Sequence, residues 1–338
     1  LTLSINTYKE SFKETMEIVG DLLMNSTFPE NELTKTISEY NTYLESSLND
    51  PQAIAFTEIS RQTTKYPKES IFYTATVQEQ IDAYKKIKQS ELVDFYKNIL
   101  GGNNGVGSVI GDLDGKTTAA ILESTFGKWN SKSKYELAKP VFFDTQKLDK
   151  DYITPDKENA VATGKISFKM NRKSPDYPAF VMANEILGSG GFLSARIPMR
   201  LREKEGISYG AGSFIDVPIN NDVAFWEYYA FLNPTKKGAV EAATKEEIAK
   251  ALKEGFTEEE LKTNLVSWQN ERKTRLGNDG TLISLVNTYL QYGVPLEDYD
   301  VLESKVKNLK VQEVNSVLKK YLSLEKMTSV YAGDFNKK

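Results

Sequence analysis

Arg202 and Tyr209 stand seven residues apart on either side of Gly206. If a helix ends at that glycine and a strand begins just after it, a guanidinium and a phenol arrive at one spot. Both can donate hydrogen bonds to a carbonyl oxygen that is turning into an oxyanion. Each residue also has an ordinary structural explanation. A cation suits the last turn of a helix, and tyrosine is common in strands. Upstream, Gly188-Ser189-Gly190-Gly191-Phe192 joins two expected helices. Glycine there can supply positive φ for a flexible connection, or let the backbone approach a ligand closely. The residues by themselves leave both readings open.

Other motif-like strings fail on chemistry. Gly206-Ile207-Ser208-Tyr209-Gly210 has the spacing of a nucleophile elbow. That device needs a strand-to-helix turn and a histidine to take the serine proton; here the order is helix to strand. Gly111-Asp112-Leu113-Asp114-Gly115-Lys116-Thr117 is one residue short of a P-loop, and its two aspartates would repel phosphate. Asp112 and Asp114 are too few for a calcium loop. Ser131 and Lys134 match S-x-x-K without its companion motifs. The acidic pairs and triplets at 246–247 and 258–260 read as solvated helix faces.

The 338 residues contain no histidine and no cysteine. The commonest zinc ligand and the commonest general base are therefore both missing, as are disulfides and thiolate chemistry. Lys and Arg number 43 and Asp and Glu 47, a net charge of −4. That balance favours neither nucleic acid nor an anionic membrane. There is no run of 18 apolar residues to form a transmembrane helix, and the first residues do not read as a signal peptide.

An internal repeat organises the elements that must position these residues. Phe28-Pro29-Glu30-Asn31-Glu32-Leu33 matches Phe256-Thr257-Glu258-Glu259-Glu260-Leu261 at an offset of 256 − 28 = 228. The same offset pairs Lys9 with Lys237, Tyr40 with Trp268 and Pro67 with Pro295. A second block pairs Lys88 with Lys310, Glu91 with Glu313 and Gly111-Asp112 with Gly333-Asp334, at 334 − 112 = 222. Helices are expected at 9–25, 28–47, 51–64 and 89–99, and again at 236–254, 256–275, 280–292 and 311–322. Strands ending in Gly-Asp are expected at 106–111 and 327–333. The second copy adds a strand at 161–170, helices at 176–188 and 193–204, and strands at 209–217 and 222–232. Residues 131–160 read as the connection. The expected fold is α+β: a repeated, mostly antiparallel sheet with helices packed on one face. The expected domains are 1–134, the C-terminal part of a truncated domain, and 135–338, a complete homologous one. By this count the first copy lacks the part matching about 135–228, so the parent protein is expected to continue N-terminally.

The stretch Gly190 to Ser213, with its Leu201-Arg202-Glu203-Lys204-x-Gly206-x-x-Tyr209, resembles the C-terminal region of the pitrilysin/insulinase family of zinc peptidases, relatives of mitochondrial processing peptidase. Ile87 to Asp112 is similar to the helix-then-strand segment of that family. The resemblance implies a molecule of two halves, each a pair of similar α+β domains, closing around a peptide. Zinc, held by H-x-x-E-H and a downstream glutamate, belongs to the N-terminal half. This chain cannot carry H-x-x-E-H, and the downstream glutamate position falls at about Tyr43. The resemblance therefore implies the non-catalytic C-terminal half of a zinc metallopeptidase. It holds no metal itself, partners an N-terminal catalytic half on the same or a separate chain, and takes a peptide as substrate. Arg202, Tyr209, Gly190, Gly191 and Phe192 are the implied substrate-binding residues. The bacterial cell envelope or periplasm is the implied location. A catalytically inactive scaffold subunit of the same fold is the alternative.

Overall fold

A computed structural model describes residues 1–190 and 194–336. The first repeat copy contributes α1 (Phe12–Met24), α2 (Glu30–Ser47), α3 (Pro51–Thr63), α4 (Val77–Tyr84), α5 (Gln89–Ile99) and α6 (Gly115–Phe126). Then come β1 (Leu148–Ile153), β2 (Ala160–Lys169), α7 (Tyr177–Asn184) and α8 (Arg196–Pro198), the last two each running on into a π-helical turn, at Glu185–Ser189 and Met199–Lys204. After β3 (Gly210–Asp216) and β4 (Val223–Leu232) follow α9 (Lys237–Glu254), α10 (Glu258–Leu276), α11 (Asp279–Tyr292), α12 (Asp298–Lys307), α13 (Val311–Tyr321) and β5 (Thr328–Gly333).

The repeat is visible in how the helices start. Asp50 caps α3 by accepting from Ala53 N at 2.7 Å, and its counterpart Asn278 caps α11 by accepting from Thr281 N at 2.9 Å. Glu91 accepts the backbone N–H of Lys88 at 2.8 Å, and Glu313 accepts that of Lys310 at 2.8 Å. Each bond satisfies a donor that the helix itself leaves unpaired.

The chain separates into two compact units. Unit 1 comprises Leu1–Thr42, Ile81–Ala138 and Leu276–Val294; unit 2 comprises Tyr43–Gln80, Lys139–Arg275 and Pro295–Lys338. The equivalent helices α3 and α11 thus each belong to the unit built mainly from the other copy.

Unit 2 holds a five-stranded mixed sheet in the order β1-β5-β2-β4-β3. Only β1 and β5 are parallel; the other three pairings are antiparallel. Alternation along β2 and β4 sends Ala160, Ala162, Ile166 and Phe168, with Ala224, Trp226, Tyr228 and Ala230, into one large core shared with α7, α9 and α13. On the opposite face α3 lays Ala55 and Ile59 on Val161, Val330 and Ala332. A helix thus covers part of the second face as well, which explains why β2 is buried along nearly its whole length.

Two expectations about strands need correcting. Residues 148–153, read as connection, form β1. Its sequence, LDKDYI, is charged and mostly exposed because it is an edge strand, so it lacks the apolar alternation that marks a half-buried one. Residues 106–111 form no ladder among the described residues. A strand is defined by its neighbours, and none lies beside this segment in unit 1.

Candidate functional site

The turn between α8 and β3 is built from the backbone outward. Ile197 and Leu201 are fully buried and anchor the helix to the core. The π-helical turn ends where Glu205 N donates to Arg200 O at 3.2 Å and Gly206 N donates to Arg202 O at 3.2 Å. Gly206 has φ +60, a conformation that a side chain would strain. The reversal lets Ile207 N and Ser208 N both donate to Leu201 O, at 2.9 and 3.2 Å. Tyr209 N then donates to Phe231 O at 2.8 Å, and β3 begins.

Both sequence-predicted donors are accordingly held by bonded backbone at the two ends of one tight turn. The Tyr209 residue is 62% exposed. The Arg202 side chain is 42% exposed, with Nε 3.7 Å from Glu203 Oε1. Ser208 is no nucleophile, since its hydroxyl lies 2.9 Å from Gly210 O and 2.8 Å from Phe231 O and serves the turn.

The glycines upstream are packed against their own chain. A Cβ on Gly188 would collide with the Ser213 side chain and sit 2.8 Å from Ser213 N. One on Gly190 would collide with Asn264 Oδ1 and lie 2.7 Å from Glu185 O. Both glycines thus allow a close approach of neighbouring protein groups. Gly191 and Phe192 lie outside the described residues.

The remaining motifs resolve into structure. Asp114 caps α6, accepting from Thr117 N at 2.8 Å and Thr117 Oγ1 at 2.7 Å, which puts a carboxylate where a P-loop would hold phosphate. Lys9 pairs with Asp112 at 2.8 Å. Of the acidic runs, Glu260 takes a two-pronged bond from Arg196, at 2.6 and 2.8 Å, and Glu246 accepts from Arg200 at 3.1 Å. Among the described residues no three carboxylates gather closely enough to hold a metal ion. Without histidine, the residues of this chain do not fit a catalytic zinc. Tyr43, at the expected glutamate position, is largely exposed beside an open depression of about 600 Å³ lined also by Asp50, Phe56 and Thr74.

Sequence reasoning missed a buried charge pair and a separate buried carboxyl. Lys165 and Glu227 face each other across β2 and β4 on the sheet face opposite the main core. Lys165 Nζ lies 3.7 Å from Glu227 Oε2 and 3.6 Å above the Phe225 ring, and Thr163 Oγ1 lies 3.0 Å from Glu227 Oε1. Burial pushes the lysine pKa down and the glutamate pKa up. A charge at alternate positions of two apolar strands was the available signal. Glu185, only 8% exposed at the start of the first π-helical turn, is raised to about 7, by burial first and then by the charge of Glu271.

The M16 peptidase inactive-domain family has a sequence model that matches residues 86–265, more than half of the chain. No curated protein matches. Among solved structures, a peptidase M16 inactive domain from Pseudomonas fluorescens aligns with TM-score 0.79 and 20% identity, covering 96% of this chain and 75% of that one. A protease from Helicobacter pylori gives 0.81 and 16%, with 96% and 78% covered. The periplasmic protease PqqL from Escherichia coli gives 0.68 and 15%; 95% of this chain covers 34% of that longer one. At these identities the structures speak for the fold alone, and the family match carries the assignment: this chain belongs to the M16 peptidase family, as an inactive domain.

Proposed function

We propose that this chain is the non-catalytic C-terminal half of a zinc metallopeptidase. It completes the chamber that encloses a peptide and presents Arg202 and Tyr209 to it. Zinc and general base reside in an N-terminal half, on the same or another polypeptide. The role left to this chain is to orient the substrate and to donate hydrogen bonds to the scissile carbonyl oxygen as negative charge develops there. Gly190, Gly191 and Phe192 border the same bound peptide. Residues 1–134 are the C-terminal part of one domain of this half, and residues 135–338 are a complete homologous one. Likeness to a periplasmic protease supports a place in the bacterial cell envelope.

The observation that carries this reading is the 202–209 turn, whose bonded backbone holds both donors partly exposed. The test is peptide hydrolysis by this chain combined with its N-terminal half. Arg202→Ala or Tyr209→Phe should lower kcat/KM by about 10- to 1000-fold. The folded structure should survive, because the backbone and Ser208 bonds that build the turn are left in place by both changes. Full turnover in both variants would remove the two side chains from the reaction and leave the chain a structural half.

A further inference from the structure

Buried polar groups in folded proteins are nearly always hydrogen-bonded, so a buried cluster without bonds has a physical cause. Unit 2 holds such a cluster beneath α9. Tyr228, Ser329, Tyr331 and Thr244 are all but fully buried, and none of their hydroxyls has a hydrogen-bond partner in the protein. The sheet register brings the first three together. Tyr228 on β4 and Ser329 on β5 both stand opposite Gly164 of β2. Tyr228 and Tyr331 belong to the main core, and Ser329, two residues before Tyr331, shares that face. A side chain on Gly164 would collide with the Tyr228 ring, so the ring lies across the glycine toward β5. Burial pushes the Tyr228 pKa up to about 12, and the hydroxyls of Tyr331 and Ser329 act against that rise. Helix α9 covers the place. Lys245 Nζ lies 3.0 Å from Asp149, which stands opposite Ser329 in the β1–β5 pairing, and Thr244 is its neighbour. Thr34, Thr42, Thr274 and Thr288 each donate to the carbonyl four residues back in their helices; Thr244 does not.

We infer that these four hydroxyls form an internal hydration site, in which ordered water bridges β4, β5 and α9. A buried water makes about three hydrogen bonds, and each hydroxyl can both donate and accept, so the four groups suffice to hold one. Water is the ligand that the chemistry selects. The four groups are uncharged, and the ions beside them are already paired, since Lys245 Nζ lies 3.0 Å from Asp149 and 2.8 Å from Glu241. No charge is left over for a metal ion or an anion to neutralise. An apolar ligand would leave all four hydroxyls unbonded. Directed bonds through water fix α9 at one position over the sheet, where apolar contact alone would let it slide. The inference does not depend on Arg202 or Tyr209.

The test joins a crystal structure of this chain that resolves ordered solvent to melting curves of Tyr228→Phe and Tyr331→Phe. A water oxygen should lie within about 2.6–3.2 Å of at least three of the four hydroxyls. Both variants keep the ring and lose only the hydroxyl. Removing a hydroxyl that water bonds should lower the melting temperature of unit 2 by about 2–4 °C. Removing one that bonds nothing should raise it, because an unsatisfied buried group has gone. The melting of unit 2 is read from Trp226 and Trp268 fluorescence in a Trp129→Phe background. Two results would each overturn the inference. One is hydroxyls bonded directly to one another with no water between them. The other is a melting temperature that stays or rises in both variants.

Discussion

At the scale of single residues, the two buried charged sites make opposite demands. Glu185 has its pKa raised to about 7 from an unfolded value of 4.5. The folded state therefore holds a proton that the unfolded chain has lost across that interval. The stability it contributes is complete below about pH 4.5 and is lost as pH rises toward 7. Wild type should lose about 2–3 kcal/mol of this contribution between pH 5 and 8. Glu185→Gln should remove the dependence and be the more stable protein at pH 8; urea denaturation at the two pH values decides it. Lys165 and Glu227 instead stabilise each other. Lys165→Met leaves a buried carboxylate without its cation and should cost about 3–5 kcal/mol. The double change with Glu227→Leu should recover much of that loss in a denaturation midpoint. An unaltered midpoint in Lys165→Met would mean that the pair is not closed in solution.

At the scale of elements, α3 shows how far packing outweighs position in the chain. Its N-cap, proline start and length are local properties, legible from Asp50-Pro51 onward. What it covers is not local: Ile59 reaches Val161 and Val330, the latter more than 250 residues away. The counterpart of this contact in unit 1 pairs Asn287 with Ser108 through a hydrogen bond. The contact between helix and extended segment is thus apolar in unit 2 and polar in unit 1. Ile59→Ala should destabilise unit 2 by about 2–4 kcal/mol, measured in urea. A loss below ~1 kcal/mol would show that the helix is not firmly seated on the sheet.

At the scale of the whole molecule, the two units carry unequal cores. Both hydrophobic clusters lie in unit 2, whereas Phe12, Met16, Ile81 and Tyr289 are the large buried side chains of unit 1 among the described residues. Unequal burial breaks two-state behaviour. In a Trp129→Phe variant the remaining indoles, Trp226 and Trp268, report on unit 2 alone. Far-ultraviolet circular dichroism of that variant should begin to fall at lower urea than its tryptophan fluorescence. Coincident curves would show the two units unfolding as one.

The repeat, the approximate bounds of the expected helices and the lack of a residue set for zinc were present in the order of the residues; the short helices α4 and α12 were not among those expected. Capping, periodicity and the lack of histidine are local or compositional properties, and Arg202, Gly206 and Tyr209 stood out because one turn lies between them. What the chain order could not express is which elements end up beside each other. Strand β1 hides in a charged segment because only its pairing with β5, some 180 residues later, makes it a strand. Residues 106–111 have the sequence of a strand and form none, because a ladder needs a neighbour. Lys165 and Glu227 look like surface charges until the register of β2 on β4 sets them face to face. Hydrogen-bonded neighbours and burial are long-range facts, and only the tertiary structure decides them.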